Sequence, residues 1–535
     1  MKFIQSLAYN SGVYSPLMQN FLSEKSSLAP FHAGRYDDSL AQLRAKDRAA
    51  GYSLEQREVL VNSLRKQYGQ EKVSRQTTLH INQLLQSNTV TVTTGHQLNL
   101  FTGPLFFWYK ILDVINKAAA LQLADTSHQY VPVYWMASED HDFEEINHFY
   151  LGEQKLRWDA QSGGPVGRMS TEQLDSLLAP LKAHWGNTAL GAELFALFSE
   201  SYLQEKTLGK ATRAMVNRLF GSYGLVIIDG DDAALKRLFI PVVKKELTQQ
   251  TIWNSVNSTS ERLKKAYAAY TPQVNPRELN LFYMLDNKRV RIVQDAEKYA
   301  TSDGEQHWEA SELLQEVDQN PERFSPNALM RPLYQEVVLP NIAYIGGGGE
   351  LAYWIQLNDT FKEFDIPFPL LKHRRTALLI SEKQLKKCNN LNIPLEDLFL
   401  PVSSFINKRV RYISDIDIDF SEQREALQNQ FKDLFALAQQ TDASFLGAVE
   451  AQEKKQLKGL NTLEKRLLKA QRIKLKDQIV RMTDLRHELF PNGKLQERLS
   501  NFSSFVSDEG IAVFTNNLKE ALIEAPEGLA ILAVK

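Results

Sequence analysis

Five carboxylates and two histidines crowd into ten consecutive positions: Glu139-Asp140-His141-Asp142, then Glu144, Glu145 and His148. Such a group can orient an amine, act as a general base or hold the Mg²⁺ of a nucleotide. His141, Asp142 and His148 are acceptable transition-metal ligands, but their spacing matches no zinc signature and no metal site is assigned. A polar loop with a helix cap is the plain alternative, and it accounts poorly for so many acids together. A second stretch is Gly95-His96-Gln97-Leu98-Asn99-Leu100-Phe101-Thr102-Gly103-Pro104, with Lys110 beyond it. Here Gly95 permits a tight turn, and His96 can donate to an anion or shuttle a proton. Thr102 and Gly103 are expected at a helix N-terminus, where free N–H groups favour an anion. The third is Gly346-Gly347-Gly348-Gly349-Glu350, followed by Tyr353 and Trp354. Its glycines allow close backbone approach to a ligand, although the run matches neither the Walker pattern nor a dinucleotide fingerprint. Arg331 and the cluster Lys372-His373-Arg374-Arg375 can supply cations to carboxylate or phosphate, and a surface role fits the cluster equally well.

These stretches follow segments that read as strands. Thr89-Val90-Thr91-Val92-Thr93-Thr94 is an uncharged β-branched run, and Tyr130 to Ala137 is a second apolar run. A helix opening at 102–104 and ending near 123 joins them, which makes a βαβ unit with a right-handed crossover. Further strands are expected at 225–229, 342–345, 368–371 and 376–380, with a helix over 350–364. Ligands of open α/β sheets bind beyond the carboxyl ends of the strands, where all three stretches fall. Long inserts are expected near 152–220 and 245–325, the second holding a hairpin of 281–285 and 289–293 turned at Asp286-Asn287. Residues 1–88 read as mostly helical and packed on the core, and 89–420 as the Rossmann-like core with its inserts. Residues 421–490 are poor in Gly and Pro and form a helical arm. Leu460, Leu463, Leu467 and Ala470 step along it like a coiled-coil seam. Residues 491–535 return to the core, with strands expected at 510–514 and 529–534.

At 535 residues the chain needs more than one core, and 43% hydrophobic with 24% charged residues suits a folded protein in water. Lys+Arg of 62 against Asp+Glu of 64 gives a net charge of -2 and no global attraction to nucleic acid or anionic lipid. The basic residues of the arm are read as a solvated face with acids interspersed, not an RNA surface. One cysteine, Cys388, excludes an internal disulfide and a Cys-rich zinc site, and is read as a tolerated small residue of a protein in the reducing cytoplasm. No leader-like segment opens the chain and no apolar run approaches bilayer length, so no membrane role is expected.

Several motifs together resemble the BshC family of bacillithiol biosynthesis. They are Gly95-His96-Gln97 with Thr102-Gly103-Pro104 and Tyr109-Lys110, and Pro132 to Asp142 with Glu145-Ile146-Asn147-His148. Arg331-Pro332, Leu339-Pro340, Gly346 to Glu350 with Tyr353-Trp354, and Leu489 to Gly493 with Leu495-Gln496-Glu497-Arg498 complete the likeness, which spans the chain in order. The resemblance implies an α/β fold: a Rossmann-like parallel-sheet core with inserted connecting-peptide subdomains and a coiled-coil arm that mediates homodimerisation. It implies kinship with nucleotidyltransferases of the class I aminoacyl-tRNA synthetase type. Gly95-His96 echoes the second half of their HIGH motif; Thr93 stands at its first histidine, and no KMSKS loop is evident. The assigned family role joins the carboxyl group of L-cysteine to the amine of glucosaminyl malate. ATP, with or without Mg²⁺, is the expected energy source, and no tightly bound transition metal is expected. The site so implied places one of Glu139, Asp140, His141 or Asp142 as the base and His96 against developing negative charge. Gly95, Gln97, Thr102, Gly103, Lys110, Asn147, Arg331, Gly346, Gly347, Gly348, Gly349, Glu350, Tyr353, Trp354 and Arg374 contact substrates or nucleotide. Two alternatives stand beside it: a metal-dependent hydrolase using His96, Asp140, His141, Asp142 and His148, and a non-enzymatic, nucleotide-sensing coiled-coil dimer.

Overall fold

The computed structural model describes residues 1–9, 12–23, 26–69, 71–296 and 298–534. A parallel sheet is built from β1 (Thr89–His96), β2 (Gln129–Met136), β3 (Val226–Asp229), β4 (Asn341–Gly346) and β5 (Leu370–His373). Its spatial order is β3-β2-β1-β4-β5, every pairing parallel. This is the doubly wound arrangement, and the strand order reverses between β1 and β4. Alternation along β1 explains its composition. Val90 and Val92 pack in a cluster with Ile342 and Ile345 of β4 and with Ala41, Ala45 and Ala49 of the helix Asp38–Ala50. The hydroxyls of Thr91 and Thr93 instead donate to Asn341 Oδ1 at 3.3 and 2.9 Å, and Thr94 to the Ile345 carbonyl at 2.7 Å. Buried hydroxyls are thereby satisfied inside the sheet.

The helix after β1, α1 (Phe106–Ala124), starts later than the Thr102 and Gly103 expected to open it. Residues Leu100–Thr102 form a single 3₁₀ turn, with φ of 48° at Phe101, 65° at Thr102 and 59° at Gly103. Such left-handed backbone is costly for an aromatic residue and needs external support. Asn501 Nδ2 supplies it, donating to the carbonyls of Phe101 and Gly103 at 2.8 Å each, while the Tyr202 hydroxyl receives the Phe101 N–H at 2.8 Å. A Cβ at Gly103 would meet Asn99 Cβ at 2.6 Å, so only glycine fits. Next along the chain come α2 (Ala233–Gln249), α3 (Arg331–Val338) and α4 (Gly348–Trp354).

The parallel sheet belongs to a compact unit, residues 1–379 with 495–535, which also holds the two-stranded sheet of His148–Leu151 with Gln154–Arg157. The expected hairpin, Leu281–Leu285 with Lys288–Asp295, is the centre of a five-stranded sheet in the second insert. Thr376–Ser381 and Leu529–Val534, both foreseen as strands, join Lys2–Leu7 in a separate three-stranded sheet. Lys2–Leu7 was not foreseen within the N-terminal helical segment. The strand expected at 510–514 is instead the first turn of a helix, Ile511–Glu524, whose buried Ile511, Phe514, Leu518 and Leu522 follow the helical period. A five-residue apolar run does not distinguish the two periods.

The second unit covers residues 380–494, beginning at Ile380, ahead of the arm expected at 421. It contains α5 (Ser421–Ala438), α6 (Ala443–Lys474) and α7 (Lys476–Leu489). The earlier boundary arises because the helix Val402–Ile413 buries Val410 with Ile418 and Leu468 in a small arm core. The expected seam does not form a buried line within the chain: Leu463 is 53% exposed, while Leu468 is buried with the partly buried Leu467 packed beside it. Burial pushes the Cys388 thiol up to about 11, which keeps it protonated and unreactive. Among the described residues no helix is long and apolar enough to cross a membrane.

Candidate functional site

A cleft of ≈ 400 Å³ opens at the carboxyl ends of β1, β2 and β4, over the point where strand order reverses. From β1 it receives Gly95, His96 and Gln97; from α1, Phe106 and Lys110; and from the end of β2, Ser138, Glu139 and Asp140. The β4 side supplies Gly347, Gly348, Gly349, Glu350 and Tyr353, and Arg331 and Arg374 reach it as well. The three stretches singled out by residue type thus meet in one place.

His96 ends β1 and is buried, its ring stacked on Phe106 at 5.1 Å and edge-on to Phe107 at 5.0 Å. Its Nδ1 lies 2.8 Å from the Gln97 carbonyl. A carbonyl only accepts, so Nδ1 carries the hydrogen. Burial, with Lys110 nearby, lowers the His96 pKa to about 3. The ring is therefore neutral near pH 7 and Nε2 is an acceptor, with no partner among the described residues. This corrects the expected role of His96 as a donor to developing negative charge: in this tautomer the unpartnered Nε2 accepts a hydrogen bond and does not donate one.

The acid cluster divides. Glu139 forms an ion pair with Lys236, which also donates to the Phe324 carbonyl, and burial raises the Glu139 pKa against that pairing. Asp140 lines the cleft, held by Gln97 Nε2 at 2.9 Å and by the His141 N–H at 2.8 Å. Gln97 also donates to Glu145 at 2.8 Å, tying the β1 end to the cluster. His141 does not line the cleft but bonds to Arg289, whose Nη1 donates to its Nδ1 at 2.9 Å, and Asp142 is at the exposed start of a short helix. Asn147 is buried behind the cluster beside His148. His141, Asp142 and Asn147 are thus not cleft residues. The ligand set of the hydrolase alternative does not gather: among the described residues no three His, Cys or carboxylate side chains are grouped to hold a metal ion.

Cations at the cleft fall into two kinds. Lys110 is buried in α1, donating to the Gly95 carbonyl at 2.7 Å and pairing with Glu350 Oε2 at 2.6 Å. Glu350 also accepts from the Tyr344 hydroxyl at 2.7 Å and the Gly347 N–H at 2.8 Å. Burial would raise its pKa, but Lys110 and these bonds outweigh it and hold the carboxyl below its usual range. Arg374 is clasped by Glu497, with Nη2–Oε1 at 2.7 Å and Nη1–Oε2 at 3.0 Å. These two cations are committed to protein carboxylates. Arg331, Arg289 and Arg498 are not, since none forms an ion pair among the described residues. A Cβ on Gly95 would come within 3.2 Å of Tyr344 Oη and 3.6 Å of Arg331 Nη1, so glycine permits this close layering.

Sequence reasoning missed Arg289 and Arg498. Arg289 comes from the insert hairpin, its Nη2 donating to the Pro326 carbonyl at 2.8 Å and its plane over Phe282 at 4.0 Å. Arg498 lines the cleft from the C-terminal segment, inside a recognised motif that carried no assigned role. Four other expected residues lie elsewhere. Thr102 and Gly103 sit in the strained turn, where Thr102 Oγ1 receives the Trp108 indole N–H at 3.1 Å. Trp354 is fully buried, stacked on Tyr344 at 4.4 Å. Gly346 ends β4 and spends its carbonyl on the Arg374 N–H at 2.9 Å.

The order of strands and the cleft at their reversal define a Rossmann-like protein with a charge-lined cleft at its topological switch point. Residues 2–375 match the family model described as bacillithiol biosynthesis BshC, N-terminal Rossmann-like domain, and residues 377–527 match the BshC C-terminal coiled-coil domain. A relative from Flavobacterium johnsoniae is 48% identical over 500 residues, 94% of each chain. One from Christiangramia forsetii is 46% identical over 514 residues, 95% of each chain, and one from Bacillus cytotoxicus is 25% identical over 470 residues, 85% of this chain and 87% of its own. All three bear the name "Putative cysteine ligase BshC". The chain belongs to the BshC family of bacillithiol biosynthesis.

Proposed function

We propose that this protein is a cysteine ligase that joins the carboxyl group of L-cysteine to the amine of glucosaminyl malate. The observation that carries this reading is the meeting, in one cleft, of an acid, an acceptor imidazole and arginines left without carboxylate partners. An amide cannot form from a carboxylate until an oxygen is made a leaving group, and ATP serves that need. A cysteine carboxylate oxygen attacks a phosphoryl group of ATP, forming a C–O–P linkage as ADP or pyrophosphate departs. The sugar amine then attacks the carbonyl carbon, the C–N bond forms, and phosphate or AMP leaves. The amine must shed a proton, and Asp140 is the best-placed group to take it. Glu139 is bound to Lys236, and His141 and Asp142 do not line the cleft. Arg331, Arg289 and Arg498 would receive the malate carboxylates and the phosphates, since Lys110 and Arg374 are already neutralised. Mg²⁺ would travel with the triphosphate.

Thiol profiling of a strain lacking this protein tests the reading. Loss of bacillithiol with accumulation of glucosaminyl malate is expected, and an unchanged profile would remove it. Complementation with Asp140→Asn should restore turnover about 10²–10⁴-fold below the wild-type chain. The arm's exposed Leu437, Leu463 and Ile473 support the expected pairing with a second copy. Sedimentation should then give twice the mass of one chain, and Leu463→Lys should shift it toward one.

A further inference from the structure

One buried carboxyl near the cleft has no part in this chemistry. Glu336 lies in α3 and is 1% exposed. Its Oε1 accepts from Gln335 Nε2 and from Asn341 Nδ2, both at 2.8 Å, and its Oε2 has no partner among the described residues. Gln335 is fully buried, and its Oε1 accepts from Arg331 Nη1 at 3.0 Å. A guanidinium only donates, so the Gln335 amide oxygen must face Arg331 and its NH₂ must face Glu336. The hydrogen-bond chain thus runs in one sense, Arg331 to Gln335 to Glu336. Asn341 closes the far side, with its own Oδ1 held by Thr91 and Thr93. Around Glu336 the charged or titratable neighbours are Arg331 on its own helix and Arg48 and Tyr52 from the N-terminal segment. Arg48 donates to the carbonyls of Glu336 and Leu339, and Tyr52 to that of Val338, so neither bonds the carboxyl itself.

We propose that Glu336 is a positioning residue: acting through Gln335, it sets the orientation in which the Arg331 guanidinium faces the cleft and receives a substrate anion. The anion contact rests on the ligase reading, whereas the coupling between Glu336 and Arg331 does not. A buried carboxylate is costly to keep where an amide would satisfy the same donors, and its use here fits a role for the stronger, charge-assisted acceptor. Burial raises the Glu336 pKa to about 7, against the pull of Arg48 and the bonds from Asn341 and Gln335. Its charge therefore changes in the neutral range, which makes the coupling measurable.

The test uses the full chain labelled with ¹⁵N-arginine, the Arg331 side-chain signal being identified by its loss in Arg331→Lys. That signal should shift with a midpoint near pH 7 in the wild-type protein and show no such midpoint in Glu336→Gln, which keeps the acceptor oxygen without the charge. Gln335→Met should uncouple the two and speed Arg331 N–H exchange with water about tenfold. An Arg331 signal with the same pH response in Glu336→Gln as in wild type, or unchanged exchange in Gln335→Met, overturns the proposal. Calorimetric titration with L-malate addresses the anion. Gln335→Met should weaken L-malate about tenfold in the wild-type background and not at all in Arg331→Met. Equal weakening in both backgrounds means that the effect bypasses Arg331, which also overturns it. If Arg331→Met binds L-malate normally while the signals remain coupled, the ligase reading loses this contact and the positioning role stands.

Discussion

In the α/β unit, Lys110–Glu350, Arg374–Glu497 and Lys372–Asp113 are ion pairs with one or both partners almost wholly buried. In the arm, Glu464 draws Arg411 and Arg424 together on a surface in contact with water. Both units are rich in charge, yet the physics differs. Taking charges out of water costs several kcal/mol per ion, and a buried pair seldom repays more than that cost. An exposed pair costs little and returns about 0–1 kcal/mol. The buried pairs around the cleft are therefore better understood as devices that fix geometry: Glu350 and Glu497 neutralise Lys110 and Arg374, whereas Arg331, Arg289 and Arg498 form no ion pair among the described residues.

The largest effect expected from this contrast is at Glu497. Glu497→Gln leaves the buried Arg374 guanidinium without a countercharge and should cost about 3–5 kcal/mol in urea unfolding. A loss under about 1 kcal/mol would erase the distinction between the two units. Next is Glu336, whose folded pKa of about 7 lies above the ordinary 4.5. Between those values the unfolded chain has released the proton and the folded chain still holds it, so stability falls as pH rises, by about 3 kcal/mol in all. Glu336→Gln should remove that decline, seen as a smaller difference between unfolding free energies measured at the two ends of the window. The smallest effect belongs to the arm: Glu464→Gln should change unfolding by no more than about 1 kcal/mol, and less in high salt. A larger value would mean that its three-residue network acts as a buried one.

Much of the architecture was legible from local pattern. Strands β1 to β5 are buried on both faces, so they appear as short β-branched or apolar runs. The insert hairpin announced itself through Asp286-Asn287 between two such runs. The three stretches at strand ends were recognisable because Gly95-His96, the acids from Glu139 and the glycines from Gly347 are unusual in composition at any position. The family likeness followed from those same blocks. Less visible were elements whose period is ambiguous over five residues, such as 511–514, and a unit boundary set by the packing of Val410 against Leu468.

The sequence by itself determined which segments become buried strands and which loops carry reactive groups, because both depend on residues adjacent in the chain. Tertiary structure alone decided which of those groups face the cleft and in what state. Arg289 arrives from an insert and Arg498 from the C-terminal segment, while Lys110 and Arg374 are neutralised by Glu350 and Glu497, 240 and 123 positions away. His96 is an acceptor because of a neighbouring carbonyl and its burial, and Thr102 turns inward because Asn501 fastens the turn beside it. Charge state, desolvation and hydrogen-bond direction depend on neighbours brought together by folding, and residue order carries no direct record of them.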